Sequence, residues 1–232
     1  MIVAIHQPNY IPWLGYFYKI YKSDIFVFLD NVQFTKNSFQ NRNKIKTPQG
    51  PIWLTEPILM KGRFRQLTNE VEFNNRIPWR EKHLKTLEMN YKKAKYFDKY
   101  FPKLQKVYFK KEWKKLVDFN IELIKFICNE LGLNKRFEIA SELEANGKAT
   151  NLLVDICKRI GADVYLSGRG GQKYQREDIF NNAGINVVYS NFKHPTYPQL
   201  WGEFEPNLSV LDLLFNCGPE SLIILSSGED EQ

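Results

Sequence analysis

Two short apolar runs near the N-terminus constrain the fold more than any other feature of the sequence. Residues 2–5 and 25–29 are β-branched, aromatic or otherwise apolar, and neither run alternates with polar residues. A strand without alternation is buried on both faces, as in a parallel sheet that is covered by helices on either side. Pro12 suits the first turn of a helix, and residues 13–22 are long enough to form one. The pattern predicts a β-α-β unit.

The alternation of strands and helices returns in the C-terminal half of the sequence. It follows a middle segment whose apolar residues have helical spacing. Ser209 and Asp212 have the spacing of a capping box at the start of one helix. The sequence predicts strands at 137–140, 163–166 and 185–189, weaker strands at 52–54 and 67–73, and helices at 150–160, 176–182, 209–215 and after Pro219. We therefore predict one α/β domain over residues 1–232. It is a three-layer, mostly parallel, Rossmann-like fold with a helical middle segment at 78–132 and a small inserted loop and strand region at 31–75.

The net charge of +7 arises in one window of the chain. Between Lys82 and Lys115 there are twelve lysines, no arginine and three acidic residues, so the window carries +9 and the remaining chain −2. Arginine is the better-shaped residue for bidentate phosphate recognition, so lysine alone favours a solvated helix face. An acidic partner, a polyanion or a membrane headgroup surface stays an alternative, and no nucleic acid is expected. His83, on the predicted helix at the start of the window, is expected to be exposed and without a role.

The cysteine pattern and the hydropathy indicate a compartment. The three cysteines are far apart and form no C-x-x-C pair, which argues against a disulfide framework or a zinc cluster. No metal is indicated, and a reducing compartment follows. No apolar stretch approaches the roughly 18 residues that a membrane span needs. We expect a cytoplasmic protein that makes at most peripheral contact with a membrane.

Polar and aromatic residues are concentrated directly after the predicted strands. Four such clusters occupy residues 6–10, 30–43, 167–174 and 191–199. Open parallel sheets bind ligands at the carboxyl ends of their strands. If the four strands are parallel, the clusters share one edge of the sheet, and both His6 and His194 lie on it.

Each cluster also has a simpler interpretation. Residues 7–12 could form only a rigid turn, His6 could be a hydrogen-bonded core histidine, and residues 40–44 could be a polar surface loop. The glycine-rich run at 167–171 resembles a phosphate-binding loop, but it has neither the ending of a Walker motif nor G-x-G-x-x-G spacing. Amides recognise sugar hydroxyls and bases, and cations suit phosphates, so a nucleotide-linked sugar would use both.

At these clusters the chain resembles the WbqC-like family. The opening motif is the most specific part of the match, and the matching stretches span nearly the whole length. They are VAIHQPNYIPWLGYF at 3–17, FLDNVQF at 28–34, KNSFQNR at 36–42, YLSG at 165–168, HPTYPQ at 194–199 and FEPNLS at 204–209. The resemblance implies a role in bacterial O-antigen, lipopolysaccharide and other surface-polysaccharide biosynthesis. It also implies a link with acyl- or aminoacyl-decorated amino sugars.

A second, weaker similarity concerns the order of elements at the N-terminus. A strand, a proline-containing loop, a helix, a strand and then Asn31-Val32-Gln33-Phe34 are similar to the beginning of pantothenate synthetases. Those enzymes activate a carboxylate with ATP and join it to an amine. The chain departs from their pattern because it has only His6 and no His-x-Gly-His pair. An ATP-dependent amide ligase is therefore kept as an alternative.

Our leading hypothesis is a transferase that forms an amide by moving an acyl or aminoacyl group, such as glycyl, to a dTDP- or UDP-linked amino sugar. Acyl-CoA and ATP are the candidate cofactors, and the rival hypothesis is a non-catalytic sugar-nucleotide or glycan-binding accessory protein. His6 or His194 would act as general base. The candidate catalytic residues are His6, His194, Lys36 and Asp30. The candidate substrate-binding residues are Gln7, Asn9, Tyr10, Gln33, Asn37, Gln40, Asn41, Arg42, Ser167, Gly168, Lys173, Tyr174, Tyr197 and Gln199.

Overall fold

A computed structural model of the protein describes residues 1–228, so the last four residues of the predicted domain lie outside the described range. The helices and strands in chain order are β1 (Ile2–His6), α1 (Leu14–Lys22), β2 (Ile25–Phe28), β3 (Arg42–Thr47), β4 (Gly50–Thr55), α2 (Trp79–Tyr91), α3 (Phe97–Tyr108), α4 (Leu116–Leu131), β5 (Arg136–Ile139), α5 (Thr150–Ile160), β6 (Val164–Gly168), α6 (Glu177–Asn182), β7 (Asn186–Ser190), α7 (Val210–Cys217) and α8 (Ser221–Ser226). Short 3₁₀ turns occur at Thr68–Glu70, Arg169–Lys173 and Gly218–Glu220. No helix within this range combines the length and the apolar character that crossing a membrane requires.

Five strands of the described chain form one sheet in the order β5-β2-β1-β6-β7, and all neighbours are parallel. β1 is the central strand, because Ala4 lies opposite Phe26 of β2 on one side and opposite Leu166 of β6 on the other. The predicted three-layer, Rossmann-like α/β fold is confirmed. The helix predicted at 150–160 matches α5 at both ends.

Alternate residues of the strands enter two apolar cores, one on each face of the sheet. Val3 and Ile5 pack on the face that is covered by α5 and by Phe180 of α6. Ala4 and Phe26 pack on the opposite face with residues of α1, α4 and α7. Successive side chains of a strand point to opposite faces. Both faces are covered here, which explains why the apolar runs do not alternate.

The inserted region contains an antiparallel hairpin of β3 and β4, in which Lys44 lies opposite Trp53. The strand expected at 52–54 lies within β4. The strand expected at 67–73 is wrong, because Thr68–Glu70 forms a 3₁₀ turn and the neighbouring residues make only isolated bridges. β3 was not predicted, because polar residues such as Asn43 hide its alternation. Asn43 is fully buried, and its amide donates to the Ile11 carbonyl oxygen at 2.8 Å.

The lysine-rich window covers α2, α3 and the loop that follows, and all twelve of its lysines are exposed, as the sequence predicts. The expectation that His83 is exposed is wrong, because only 7% of it is accessible. His83 falls on the buried stripe of α2, four residues after Trp79 and four before Leu87. Its Nδ1 lies 2.7 Å from the Tyr10 hydroxyl, and its Nε2 lies 3.1 Å from the Thr55 carbonyl oxygen.

The start of α7 carries half of the predicted capping box. Ser209 is the N-cap, and its Oγ accepts a hydrogen bond from the Leu211 backbone N–H at 3.3 Å. The other half is wrong, because the Asp212 carboxylate turns into the interior and accepts from the Tyr91 hydroxyl at 2.8 Å. Asp212 is fully buried, and burial raises the pKa of its carboxyl to about 6.

Candidate functional site

A cleft of about 510 Å³ opens at the carboxyl ends of β2, β1, β6 and β7. The chain runs from β1 outward to β2 on one side and later crosses to β6 on the other side. The cleft therefore lies where the strand order reverses, which is the usual position of ligands in open α/β sheets. Five residues of the predicted site line it: His6, Gln7, Ser167, Gly168 and Tyr174.

His6 is the last residue of β1 and has a fixed tautomer. Its Nδ1 lies 3.1 Å from the Gln7 carbonyl oxygen. A carbonyl oxygen can only accept, so Nδ1 carries the proton and Nε2 holds the lone pair. Burial and the nearby charge of Lys19 lower the pKa of His6 well below its usual value. The ring is also held by the edges of Tyr16 at 4.9 Å and Trp13 at 5.9 Å between centroids. His6 is a neutral, oriented base at pH 7.

Lys19 lies on α1 and lines the same cleft, although the sequence hypothesis did not include it. Only 5% of Lys19 is accessible, and its side chain forms no hydrogen bond or ion pair with any residue of the described chain. Burial lowers the pKa of the ammonium from 10.5 to about 7. A Cβ atom placed on Gly168 would lie 4.0 Å from Nζ, so the ammonium lies beside the glycine-rich turn. A sequence signal existed: residues 14–20 of α1 are otherwise apolar or aromatic.

The glycine-rich turn after β6 forms one wall of the cleft. Ser167 Oγ donates to Gln175 Oε1 at 2.9 Å, and this side chain in turn donates through Nε2 to the Tyr165 hydroxyl at 3.1 Å. A Cβ atom on Gly171 would collide with Ser167 Oγ, so only glycine fits there. Arg169 also lines the cleft and, within residues 1–228, forms no ion pair. The cleft thus holds two cations, Lys19 and Arg169, that have no protein counter-ion in the described structure.

Asp30, which follows β2, lies outside the lining of the cleft and ties three segments together. Its carboxylate accepts from the Ser141 backbone N–H at 2.9 Å, from the Ser141 hydroxyl at 2.5 Å and from Asn69 Nδ2 at 3.3 Å. Gln33 forms an isolated bridge with Leu67. These contacts join the carboxyl ends of β2 and β5 to the inserted region. The loop that follows contains the predicted residues Lys36, which is exposed, and Asn37, whose backbone N–H donates to Asn41 Oδ1 at 3.1 Å.

The predicted binding residues Asn9, Tyr10, Gln40 and Asn41 are buried, and they lie outside the lining of the cleft. The Tyr10 hydroxyl bonds to the Tyr108 hydroxyl at 2.5 Å as well as to His83. Asn41 Nδ2 donates to the Glu56 carbonyl oxygen at 3.2 Å. The Glu56 side chain is fully buried, and burial raises the pKa of its carboxyl well above the usual value.

The predicted residues of the last cluster also lie beside the cleft rather than in its lining. His194 Nδ1 donates to the Pro195 carbonyl oxygen at 2.9 Å, and its Nε2 is buried with no partner in the described chain. Tyr197 is buried, and its ring lies 6.1 Å from that of His194. Gln199 accepts from Lys46 Nζ at 3.0 Å. Two further predicted residues complete the set: Lys173 is exposed on the 3₁₀ turn, and Arg42 lies on β3.

Ser190, the last residue of β7, and Phe192, which follows it, line the cleft. Leu29 and Val32, which follow β2, also line the cleft, so the ends of all four strands meet as predicted, whereas the predicted site residues after β2 lie outside the lining.

The chain is similar to known proteins over nearly its whole length. The model of the WbqC-like protein family matches residues 7–224. A Mycobacterium tuberculosis (strain ATCC 25618 / H37Rv) protein, described as "Uncharacterized protein Rv1507c", is 38% identical over 220 residues, which cover 94% of this chain and 95% of that protein. No solved structure matches the chain. The protein whose cleft is formed by His6, Lys19 and the glycine-rich turn belongs to the WbqC-like protein family.

Proposed function

We propose that the protein forms an amide by transferring an acyl or aminoacyl group to the amine of a nucleotide-linked amino sugar, in bacterial surface-polysaccharide biosynthesis. The observation that carries the proposal is the pairing of a neutral, oriented His6 with an unpaired, buried Lys19 in one cleft. At pH 7 the first has a free lone pair that can accept a proton, and the second can hold an anion.

The chemistry needs a base at the attacking amine. The amine nitrogen loses a proton as it bonds to the carbonyl carbon of the acyl donor. The lone pair on His6 Nε2 is available to accept that proton. The bond from the carbonyl carbon to the leaving group then breaks, and the leaving group takes that proton from His6. Because the Nδ1–H donates to the Gln7 carbonyl oxygen, the ring does not have to change its tautomer or orientation before it acts.

The diphosphate of the sugar nucleotide supplies the anion that the cleft lacks. Lys19 and Arg169 would share it, beside the open space at Gly170. An unpaired buried ammonium is costly, and a bound phosphate removes much of this cost. The ligand also raises the pKa of Lys19 from about 7, so the cation is retained in the complex. In a nucleotide-linked amino sugar the amine is only a few bonds from the diphosphate, so an anion near Lys19 brings the amine towards His6.

The test is a product mass. Purified protein is incubated with UDP- and dTDP-linked amino sugars and either acyl-CoA or glycine with ATP, and the sugar nucleotide is examined by mass spectrometry. An added acyl or glycyl mass supports the transferase. Binding of the sugar nucleotide without a mass change under every donor supports the accessory-protein hypothesis instead.

The two strand-end histidines provide the matched pair of variants. His6→Ala should lower kcat by about 10²- to 10⁴-fold, as loss of a general base does. A comparable loss in His194→Ala with full turnover in His6→Ala would contradict the assignment of the cleft. Binding of the sugar nucleotide, measured by calorimetry, should survive in His6→Ala, because Lys19 and Arg169 remain.

A further inference from the structure

A row of aromatic rings leads out of the cleft across the inserted hairpin. Trp13 lines the cleft and lies 5.9 Å from His6 between ring centroids. Phe39 lies 4.9 Å beyond Trp13, and Trp53 lies 5.9 Å beyond Phe39. Phe39 and Trp53 are 41% and 40% exposed, so a ligand can reach both rings. We call Trp13, Phe39 and Trp53 the aromatic row.

Two cations flank the outer end of the row. The Arg42 guanidinium carbon lies 4.2 Å from the centroid of Trp53, and Lys44 Nζ lies 5.4 Å from it. Neither side chain forms an ion pair or a hydrogen bond with any other residue in the part of the chain that the structure describes. The Arg42 Nε–H is buried and without an acceptor. The hairpin and the loop before it therefore present exposed rings together with positive charge that has no counter-ion in the described chain.

We infer that the aromatic row with Arg42 and Lys44 binds the adenine-nucleotide end of a coenzyme A thioester, and that this thioester is the acyl donor. Exposed aromatic rings suit a nucleobase, and the cations suit the phosphates next to it. A neutral glycan would stack on the rings but would leave the cations unpaired. The inference rests on the proposed function, because it names the donor for the same cleft.

The position of the row distinguishes a CoA thioester from an acyl adenylate. Two rings, Trp13 and Phe39, lie between His6 and Trp53 in the chain of ring contacts. An adenylate carries its reacting carbonyl directly on the phosphate of the nucleotide. A thioester carries it at the end of the long pantetheine arm. Only the second can leave its nucleotide at Trp53 and bring its carbonyl to His6.

The reaction then balances without a further reactant. The sugar amine attacks the thioester carbonyl, the N–C bond forms and the C–S bond breaks. His6 Nε2 takes the amine proton and passes it to the departing CoA sulfur. The products are the N-acylated sugar nucleotide and free CoA.

Calorimetry with free CoA tests the site without requiring turnover. Trp53→Ala should weaken CoA binding about tenfold or more, whereas Trp53→Tyr should stay within about threefold of wild type because it retains a ring. Phe64→Ala is the matched control, since Phe64 is an exposed aromatic residue of the same insertion and no ring contact joins it to the row in the described chain. Arg42→Gln with Lys44→Gln should weaken CoA binding and flatten its dependence on salt.

Three outcomes would overturn the inference. These are no CoA binding by the wild type, equal CoA affinity in wild type and Trp53→Ala, or Trp53-dependent binding of ATP without binding of CoA.

The transfer assay separates this inference from the proposed function. In Trp53→Ala the KM for acyl-CoA should rise about tenfold or more, while the KM for the sugar nucleotide stays unchanged. Transfer with an unchanged KM for acyl-CoA would refute the donor site and leave the transferase standing. Trp53-dependent CoA binding in a protein that acylates no sugar would refute the transferase and leave the CoA site standing.

Discussion

Replacing Lys19 by Met should make the ligand-free protein more stable while it removes affinity for the sugar nucleotide. Met has a similar length but carries no charge. The ammonium is buried without a partner in residues 1–228, and burial lowers its pKa from 10.5 to about 7. The folded state therefore favours the neutral amine of Lys19 over the charged ammonium.

The size of the effect follows from the two pKa values. In the unfolded chain the lysine keeps its proton up to about pH 10.5, whereas in the folded chain it loses it near pH 7. At pH 7 the difference costs the folded state about 4 kcal/mol, at 1.36 kcal/mol per pKa unit with the folded group half protonated. For a chain of this length that corresponds to a rise in Tm of about 8–16 °C in Lys19→Met.

The pH dependence gives the sharper test. Between pH 7 and 10.5 the unfolded chain binds more protons than the folded chain, so raising the pH stabilises the wild type. The advantage of Lys19→Met is thus largest at and below pH 7 and disappears near pH 10.5. It is measured by urea unfolding at several pH values, with Lys85→Met on the exposed face of α2 as the control, for which a change within about 0.5 kcal/mol is expected. A variant that is no more stable than wild type at pH 7, or whose advantage persists at pH 10.5, would refute the reasoning.

Three further predictions concern the cleft and the interior. Gly171→Ala should destabilise the protein by about 1–3 kcal/mol and abolish the rise in Tm on adding UDP-sugar, because its Cβ collides with Ser167 Oγ; Gly170→Ala, with open space around it, should leave the stability of the ligand-free protein unchanged. Burial keeps the pKa of Glu56 well above 4.5, so above pH 4.5 the folded state holds a proton that the unfolded chain releases. The free energy of unfolding of the wild type therefore falls as the pH rises above 4.5. Glu56→Gln should therefore exceed the wild type by about 1 kcal/mol or more at pH 7 and lose that advantage below pH 4.5, and unfolding curves with equal pH slopes would contradict this. Because the pKa of His6 lies well below its usual 6.5, the acid limb of kcat/KM that is lost in His6→Ala should fall well below pH 6.5 once protonation of the substrate amine is corrected for; a His6-dependent limb at or above 6.5 would contradict the environment assigned to this base.

The fold could be predicted from the sequence wherever burial on both sides left a continuous apolar run. β1, β2 and α5 have this property or a strong helical period, and they were found. β3 was missed because its buried position 43 is an asparagine whose amide is satisfied by the Ile11 carbonyl oxygen. A polar residue that finds its partner far away in the chain looks like a loop residue in the sequence.

Some residues of the candidate site could be predicted from the sequence, and others could not. His6, Gln7 and Ser167 could be predicted to meet because they lie at strand ends, and strand ends of a parallel sheet share an edge. Lys19 was missed although its neighbours in α1 are apolar or aromatic, because a lysine near the end of a helix usually interacts with the helix dipole in solvent. Only the packing of α1 against the sheet shows that this lysine is buried.

The central position of β1 has a consequence for how the protein is made. Val3 pairs with Ile25 early in the chain, but its partner on the other side is Tyr165. During synthesis, His6 therefore leaves the ribosome long before Ser167, and the two walls of the cleft can meet only after β6 has emerged. Such long-range pairing is slow to form. We expect the cleft to be among the last parts of the molecule to assemble.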